Sequence, residues 1–159
     1  MIARVLLIAV AAVASAWALS RFAWEPVHCN IALSRIEAQT LSAEQTTDPY
    51  AQLVRARRNL QQLPGLRCTT DVRLPVLLAA NEELVGRLED AARHYEQSLA
   101  MEQRPEIYMA LANVQVRLGR VDAAVESYAR AVKFHPPMLE QILSVELRRR
   151  IDARLRVPQ

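Results

Sequence analysis

Apolar and small residues recur at helical spacing along most of this chain, and local signals mark where helices begin and end. A first helix is predicted from about Val27 to Ala43, after Glu25-Pro26. A second is predicted to begin at Asp48-Pro49, a capping residue followed by proline at the first helical position, and to end at Leu63. Periodicity and end signals therefore agree in this part of the chain.

A third helix is predicted from Asp71, as its N-cap, to Val85, after the turn residues Pro64-Gly65. Composition supports the same class of structure, because only 3 glycines occur in 159 residues and aromatic residues account for 5%. Alanine, leucine, arginine and glutamate are abundant, and these residues favour helices over strands. The fold class is predicted to be all-α.

Two segments of the chain repeat each other at a spacing of 33 residues. The segment Gly86-Arg-Leu-Glu-Asp-Ala91 recurs as Gly119-Arg-Val-Asp-Ala-Ala124, and Tyr95 recurs as Tyr128. Units of about this length, made of two antiparallel helices, are the signature of the tetratricopeptide-repeat (TPR) family. From about residue 72 to residue 136 the chain resembles that family.

The resemblance implies two TPR-like repeats over residues 71–136, and the second is the better match. Its expected inward-facing residues combine bulky and small side chains, which lets neighbouring helices approach closely. They are Tyr108, Leu111 and Ala112 on the first helix and Ala124, Tyr128 and Ala131 on the second. Gly119 is expected at the turn between the helices, Pro136 is expected to stop the second helix, and Gln115 stands where an aromatic residue is usual.

The first repeat is degenerate. It keeps Gly86, Ala91 and Tyr95, but Ser98 replaces the usual alanine and the closing proline is missing. Residues 25–70 are interpreted as a helical pre-repeat region, in which Ala56, Leu60 and Pro64 are candidate remains of another second helix.

Beyond the repeats, leucine and isoleucine recur at every fourth position. These residues are Leu139, Leu143, Leu147, Ile151 and Leu155. The pattern predicts a capping helix within residues 137–159 that covers the exposed core of the last repeat. Arg148, Arg149, Arg150, Arg154 and Arg156 lie mostly on its remaining surface. Interspersed acidic residues favour a solvated surface, with anionic lipid or an acidic partner as the alternative.

The N-terminal segment, residues 1–24, carries 16 uncharged residues between Arg4 and Arg21. As a helix this run would rise about 24 Å, short of the roughly 30 Å hydrocarbon core unless flanking residues extend it. One interpretation is a signal-anchor with Trp17 and Trp24 at the interface, which predicts a single-pass inner-membrane protein with its repeats in the periplasm. The other is a cleaved signal peptide, which predicts a secreted or periplasmic protein.

Either export route would place Cys29 and Cys68 in an oxidising compartment, where one disulfide between them is permitted. In the chain-entropy model such a loop would stabilise the fold by roughly 3 to 4 kcal/mol. Two unpaired, buried cysteines are the alternative.

The sequence gives no support to nucleic-acid binding, catalysis or metal binding. When Arg4 and Arg21 are left out, the chain has 18 basic and 17 acidic residues, so its charge is nearly balanced. It carries no basic stripe of the kind that binds nucleic acid. No phosphate-binding loop, nucleophile elbow or metal-ligand spacing occurs. The chain is predicted to be non-enzymatic, with no cofactor and no metal.

The TPR resemblance also implies a concave groove, lined by the first helix of each repeat, on which family members hold peptide segments. Binding is predicted on the exposed faces of those helices. The residues are Arg73, Val76, Glu83, Glu106, Met109, Asn113 and Arg117. Asn113 is expected to hydrogen-bond a ligand main chain and Arg117 a carboxylate, with simple solvation as the alternative for both. The clamp with which part of the family grips acidic chaperone tails is not predicted, because Met109 replaces a basic residue.

The leading hypothesis is a non-enzymatic adaptor of the bacterial cell envelope that binds a partner polypeptide through this groove. It is attached to the membrane through its N-terminal helix. Because two repeats are near the minimum for a stable stack, pairing with another copy is a natural corollary. The alternative is a structural subunit of an inner-membrane complex, with the repeats serving as a spacer.

Overall fold

A computed structural model of the chain describes residues 2–43, 46–63 and 68–156, although most side chains before residue 26 lie outside the described set. Seven α-helices account for most of these residues, and no strand occurs among them. Their bounds are α1 Ile2–Leu41, α2 Pro49–Gln62, α3 Arg73–Leu84, α4 Leu88–Met101, α5 Pro105–Arg117, α6 Val121–Phe134 and α7 Val145–Leu155. The predicted all-α class is confirmed.

The helices stack in chain order as helical hairpins. α3 packs most extensively on α4, and α5 on α6, while α4 also contacts α5 and α6 contacts α7. The C-terminal half of α1 and α2 form a further pair that packs against α3. This succession of neighbouring contacts is the arrangement expected of stacked helical repeats.

Both repeats turn on a glycine in the left-handed region, with φ of +80° at Gly86 and +74° at Gly119. In each turn the residue after the glycine donates its backbone N–H to the carbonyl five positions earlier, at 2.8 Å. The glycine itself donates to the carbonyl three positions earlier, at 3.1 Å in the first turn and 2.9 Å in the second. This Schellman motif requires a positive φ, which explains the repeated glycine.

The residues predicted to face inward in the two repeats are buried. In the second repeat they are Tyr108, Leu111, Ala112, Ala124, Tyr128 and Ala131, none more than 5% exposed. In the first repeat Ala91, Tyr95 and Ser98 are buried in the same way. The inward stripes read from the sequence are therefore confirmed.

The predicted N-cap at Asp48 is confirmed by its hydrogen bond. The Asp48 carboxylate accepts from the backbone N–H of Ala51 at 3.0 Å, with Pro49 following as the first residue of α2. The N-cap of α3 is Val72 and not the predicted Asp71, which lies one residue earlier and whose carboxylate accepts from the backbone N–H of Arg73 at 3.0 Å. The predicted turn at Pro64-Gly65 lies outside the described residues.

The first helix differs from its prediction, since α1 continues through Pro26 instead of beginning after it. A proline inside a helix removes one backbone hydrogen bond, and an exposed position such as Pro26 tolerates that loss because water can satisfy the carbonyl. Further along, Leu33 and Ile36 pack with the buried Ala56 and Leu60 of α2. The pre-repeat region is thus a packed helix pair, although its α1 to α2 connection has no glycine.

Cys29 of α1 and Cys68, in a short 3₁₀ turn before α3, are joined as a disulfide with their Cα atoms 5.6 Å apart. Both side chains are buried, at 6% and 1% exposure, in the core shared by α1, α2 and α3. The bond links the long first helix to the start of the first repeat.

In the described part of the chain, no helix combines the length and the apolar character needed to cross a membrane. The side chains of Arg4, Arg21 and Trp24, on which the anchor and signal-peptide interpretations depend, lie outside the described residues.

The C-terminal segment is not the single helix that its leucine ladder predicted. Pro136–Gln141 forms a 3₁₀ turn, and α7 begins only after Ser144, whose Oγ accepts from the backbone N–H of Leu147 at 3.2 Å. The break exposes Leu143, at 92%, while Ile151 is fully buried against α6. Consecutive prolines and a serine N-cap outweigh the i, i+4 spacing here. α7 nevertheless covers the end of the second repeat, as a cap would.

Candidate functional site

A groove of about 590 Å³ lies between α5, the Tyr128 hydroxyl of α6 and the segment that leads into α7. Its lining combines apolar side chains with a few polar groups. The lining residues are Glu106, Met109, Ala110, Asn113, Tyr128, Met138, Gln141, Ile142, Leu143, Ser144 and Leu147. Volume and composition are within the range of sites that hold small ligands or a few side chains of a peptide.

Asn113 is held in the groove by a buried tyrosine. Its Oδ1 accepts a hydrogen bond from the Tyr128 hydroxyl at 2.6 Å, and burial raises the pKa of that tyrosine. With the carbonyl side of the amide engaged, the Nδ2 group is left to donate, and it has no acceptor among the described residues. The position therefore supplies an oriented donor pair at an exposed site.

Glu106 is the one charged residue among the described residues that line the groove. It is exposed in the first turn of α5, and none of the described basic side chains forms an ion pair with it. Asn113 lies two turns further along the same helix, about 10 Å away along the axis. The Glu106 carboxylate and the Asn113 amide therefore lie along the same side of the groove.

The apolar part of the groove is built from two methionines and the capping segment. Met138 and Ile142 are buried, at 8% and 4% exposure, whereas Met109 and Leu147 are half-buried. Leu143 stands at the edge, almost fully exposed. Methionine side chains adapt easily to different apolar partners, so this surface suits a varied apolar ligand.

Glu83 and Arg117, two of the predicted binding residues, form an ion pair with each other. The Arg117 guanidinium donates to the Glu83 carboxylate at 2.9 Å across the α3 to α5 gap, and the same carboxylate accepts from the Tyr95 hydroxyl at 3.2 Å. Desolvation and the neighbouring Glu83 charge raise the pKa of Tyr95. Arg117 is therefore occupied by an internal acid and ties the two repeats together, instead of presenting an open guanidinium to a ligand carboxylate.

Arg73 and Val76, the two remaining predicted contacts, lie apart from the groove. Arg73 pairs with Asp71 at 2.7 Å, and this hydrogen bond lowers the pKa of Asp71 and raises that of Arg73. Val76 is half-buried against the core between the two repeats. Of the seven predicted residues, the groove brings together Glu106, Met109 and Asn113.

Sequence reasoning missed the contribution of residues 138–147 to the groove. The leucine ladder assigned these positions to one face of a capping helix, whereas the break at Ser144 turns them toward α5. The signal that would have found them is the pair Pro136-Pro137 followed by a serine three residues before Leu147.

Most of the arginines of α7 are engaged within the stack. Arg150 pairs with Asp122, Arg154 donates to Glu126 at 2.7 Å, and Arg149 lies 3.5 Å from Glu146. The pairs of Arg150 and Arg154 fasten α7 to α6, whereas the Arg149 pair lies within α7.

No protein-family model and no curated protein matches the chain. Among solved structures, it is similar to the crystal structure of TTC0263, a thermophilic TPR protein of Thermus thermophilus. The two share 26% sequence identity with a TM-score of 0.61, over 79% of this chain. The match spans 63% of the length of that chain.

Glycine turns, buried stripes, hairpin order and this likeness define the class of the molecule as a stack of TPR-like helical repeats. Such repeats are typical of proteins that contact other proteins, and the class is not typically enzymatic.

Proposed function

We propose that this protein is a non-enzymatic adaptor of the bacterial cell envelope that binds a partner polypeptide through the groove between α5 and the α6 to α7 segment. The observation that carries the proposal is the pairing of an oriented, unused amide at Asn113 with an adjacent apolar surface of Met109, Met138 and Leu143. Peptide recognition needs both elements, a polar contact to the main chain and an apolar contact for side chains.

The envelope location is part of the proposal. It is supported by the 16 uncharged residues between Arg4 and Arg21, and by the Cys29–Cys68 disulfide, which persists in oxidising compartments. The favoured form is a single-pass inner-membrane protein with the repeats in the periplasm, and the alternative is a periplasmic or secreted protein after signal cleavage. Fractionation followed by intact-mass measurement separates the two, because cleavage removes the N-terminal segment from the mass.

The binding proposal is tested by affinity capture from detergent-solubilised membranes with three full-length baits. Leu143→Asp places a charge at the rim of the groove, where the side chain is 92% exposed and contributes little to the core. Val145→Asp makes a comparable change at a residue that is 65% exposed and outside the groove. We expect the wild type and Val145→Asp to retain the same partner and Leu143→Asp to lose it.

Equal recovery of the partner by all three baits, with unchanged helical circular dichroism, would count against the groove. It would instead favour the second candidate function, a structural subunit of an inner-membrane complex in which the repeats act as a spacer. In that case, deleting the N-terminal segment would abolish capture while leaving the fold intact. Pairing with another copy is checked on the same samples by light scattering.

A further inference from the structure

We infer that the groove selects a peptide segment that combines an apolar anchor with a neighbouring lysine or arginine, and disfavours acidic segments. This inference rests on the proposed function and specifies the partner for the same site. It follows from how charge is distributed around the groove.

Three arginines on the two helices that border the groove, α5 and α7, are already paired with acidic residues of the chain. Arg117, at the C-terminal end of α5, donates to Glu83 at 2.9 Å, and Arg150 and Arg154 of α7 pair with Asp122 and Glu126. An acidic ligand that used one of these three arginines would have to displace an internal carboxylate. Arg148, which has no ion pair among the described residues, follows Leu147 but is not part of the groove lining. The described lining of the groove itself offers no cation at all.

The negative charge, by contrast, is available. Glu106 is exposed at the start of α5, lines the groove and has no ion-pair partner among the described residues. The apolar floor next to it, formed by Met109, Met138 and Ile142, lowers the local dielectric and strengthens a charge pair at its edge. A lysine or arginine on the ligand is the complementary group.

The amide and the apolar surface fix how the ligand lies. Asn113 Nδ2 is positioned to donate to a main-chain carbonyl because Tyr128 holds the other side of the amide at 2.6 Å. Along α5 this donor is about 10 Å from Glu106. An extended ligand covers that distance in about three residues. The expected order is therefore a basic residue over Glu106, an apolar side chain on the methionines and a carbonyl at Asn113.

The test is a display selection with random short peptides on the full-length protein in detergent. We expect the wild type to enrich peptides in which an apolar residue is accompanied by lysine or arginine about two or three residues away. Glu106→Lys should reverse this preference, so that aspartate and glutamate replace the basic residues. Glu96→Lys is the matched control, because Glu96 is exposed on α4 and outside the groove, and it should leave the preference unchanged.

Direct titration of one selected basic peptide sharpens the result. Glu106→Gln should weaken binding about threefold and Glu106→Lys about tenfold, in line with a partly exposed charge pair and its reversal. Asn113→Ala should weaken basic and charge-swapped peptides alike, since the amide contacts the main chain. Both effects should be absent in Glu96→Lys.

The outcomes separate the two levels of the proposal. Enriched peptides that lack a basic residue, or that stay the same on Glu106→Lys, would overturn the charge selection while leaving a peptide-binding groove. No enrichment on the folded wild type would overturn the groove itself and, with it, the inference.

Discussion

The two TPR-like repeats have the same glycine turn but differ in the buried polar residues beneath it. Thirty-three residues apart, Gly86 and Gly119 share the same φ region and the same pair of backbone hydrogen bonds. Beneath the second turn lies a neutral pair, in which the Ser127 hydroxyl donates to Gln115 Oε1 at 2.8 Å. The corresponding positions of the first repeat hold Glu82 and His94, and Glu82 is only 2% exposed.

The buried charge of the first repeat is explained by its contacts with the helix that precedes that repeat. Arg57 of α2 donates to Glu82 at 3.0 Å, and Arg87 lies 3.7 Å from the same carboxylate. The preceding residue, Asn81, donates to the Leu53 carbonyl of α2 at 2.9 Å. Both junctions have an apolar core, but the first repeat also receives the pre-repeat helices through a buried carboxylate and a buried amide. The ion pairs that join the two repeats, Arg117 with Glu83 and Arg120 with Glu89, are more exposed. The same repeat scaffold therefore supports a junction with a buried charge and a junction without one.

Arg57→Ala should reduce stability more than any other substitution considered for the two repeats. It leaves the buried Glu82 carboxylate with Arg87 alone, and breaking this partly buried ion pair should lower the free energy of unfolding by about 2 to 3 kcal/mol. Urea denaturation of the full chain measures the change. The exposed neighbour Arg58→Ala is the matched control and should change stability by less than about 0.5 kcal/mol.

Making the first repeat resemble the second should rescue part of that loss. The double variant Arg57→Ala with Glu82→Gln places a neutral amide at the position that corresponds to Gln115 of the second repeat, which removes a buried charge that Arg87 compensates only in part. We expect it to be more stable than Arg57→Ala alone. A double variant no better than the single one would mean that the arginine acts through its packing and not through its charge.

Substitution of either turn glycine should lower the free energy of unfolding by the same amount. Gly86→Ala and Gly119→Ala each force a Cβ into the left-handed region, while neither added Cβ would meet an atom within 4 Å. The cost is therefore purely conformational, about 1 to 2 kcal/mol in each case. Asparagine, which tolerates this region better, should cost less at both positions. Costs that differ between the repeats, measured by urea denaturation, would show that the turns are not equivalent.

The neutral pair of the second repeat should be worth less than its charged counterpart. Ser127→Ala leaves the buried oxygen of Gln115 without its donor, so we expect a loss of about 1 to 2 kcal/mol in the same denaturation experiment. The double variant with Gln115→Met should recover stability, because it replaces both polar groups by apolar ones. A loss equal to that of Arg57→Ala would contradict the distinction between the two interiors.

Much of the repeat architecture could be predicted from sequence because it depends on local requirements. A positive φ calls for glycine, and close helix packing calls for alanine beside tyrosine, so Gly119, Ala112 and Tyr128 could be assigned from their spacing. The full length of α1 could not be predicted, because no periodic pattern in the sequence indicates that a helix tolerates a proline at an exposed position.

The site was only partly predictable. Exposed positions such as Glu106, Met109 and Asn113 follow from helical geometry once the buried face is known. Whether a charged side chain is available depends instead on partners far away in sequence, and Glu83 is 34 residues from the Arg117 that it occupies. The ionic junction beneath Gly86 was missed for the same reason, since Arg57 and Glu82 belong to different helices.

The dependence of stability on pH should also differ between the repeats, through a histidine whose counterpart in the second repeat is a serine, and this effect should be small. Desolvation lowers the pKa of His94 below its usual value of 6.5, opposed by the charge of Glu82, with Arg93, Asp90 and Arg57 also acting on it. Because the folded state then binds fewer protons than the unfolded chain, this histidine destabilises the fold as pH falls below 6.5 toward its lowered folded pKa. His94→Ser, which introduces the residue of the second repeat, should flatten the dependence of the urea midpoint between about pH 7 and about pH 5. A midpoint that depends on pH as steeply in His94→Ser as in the wild type would mean that this half-buried histidine does not contribute to the pH dependence of stability.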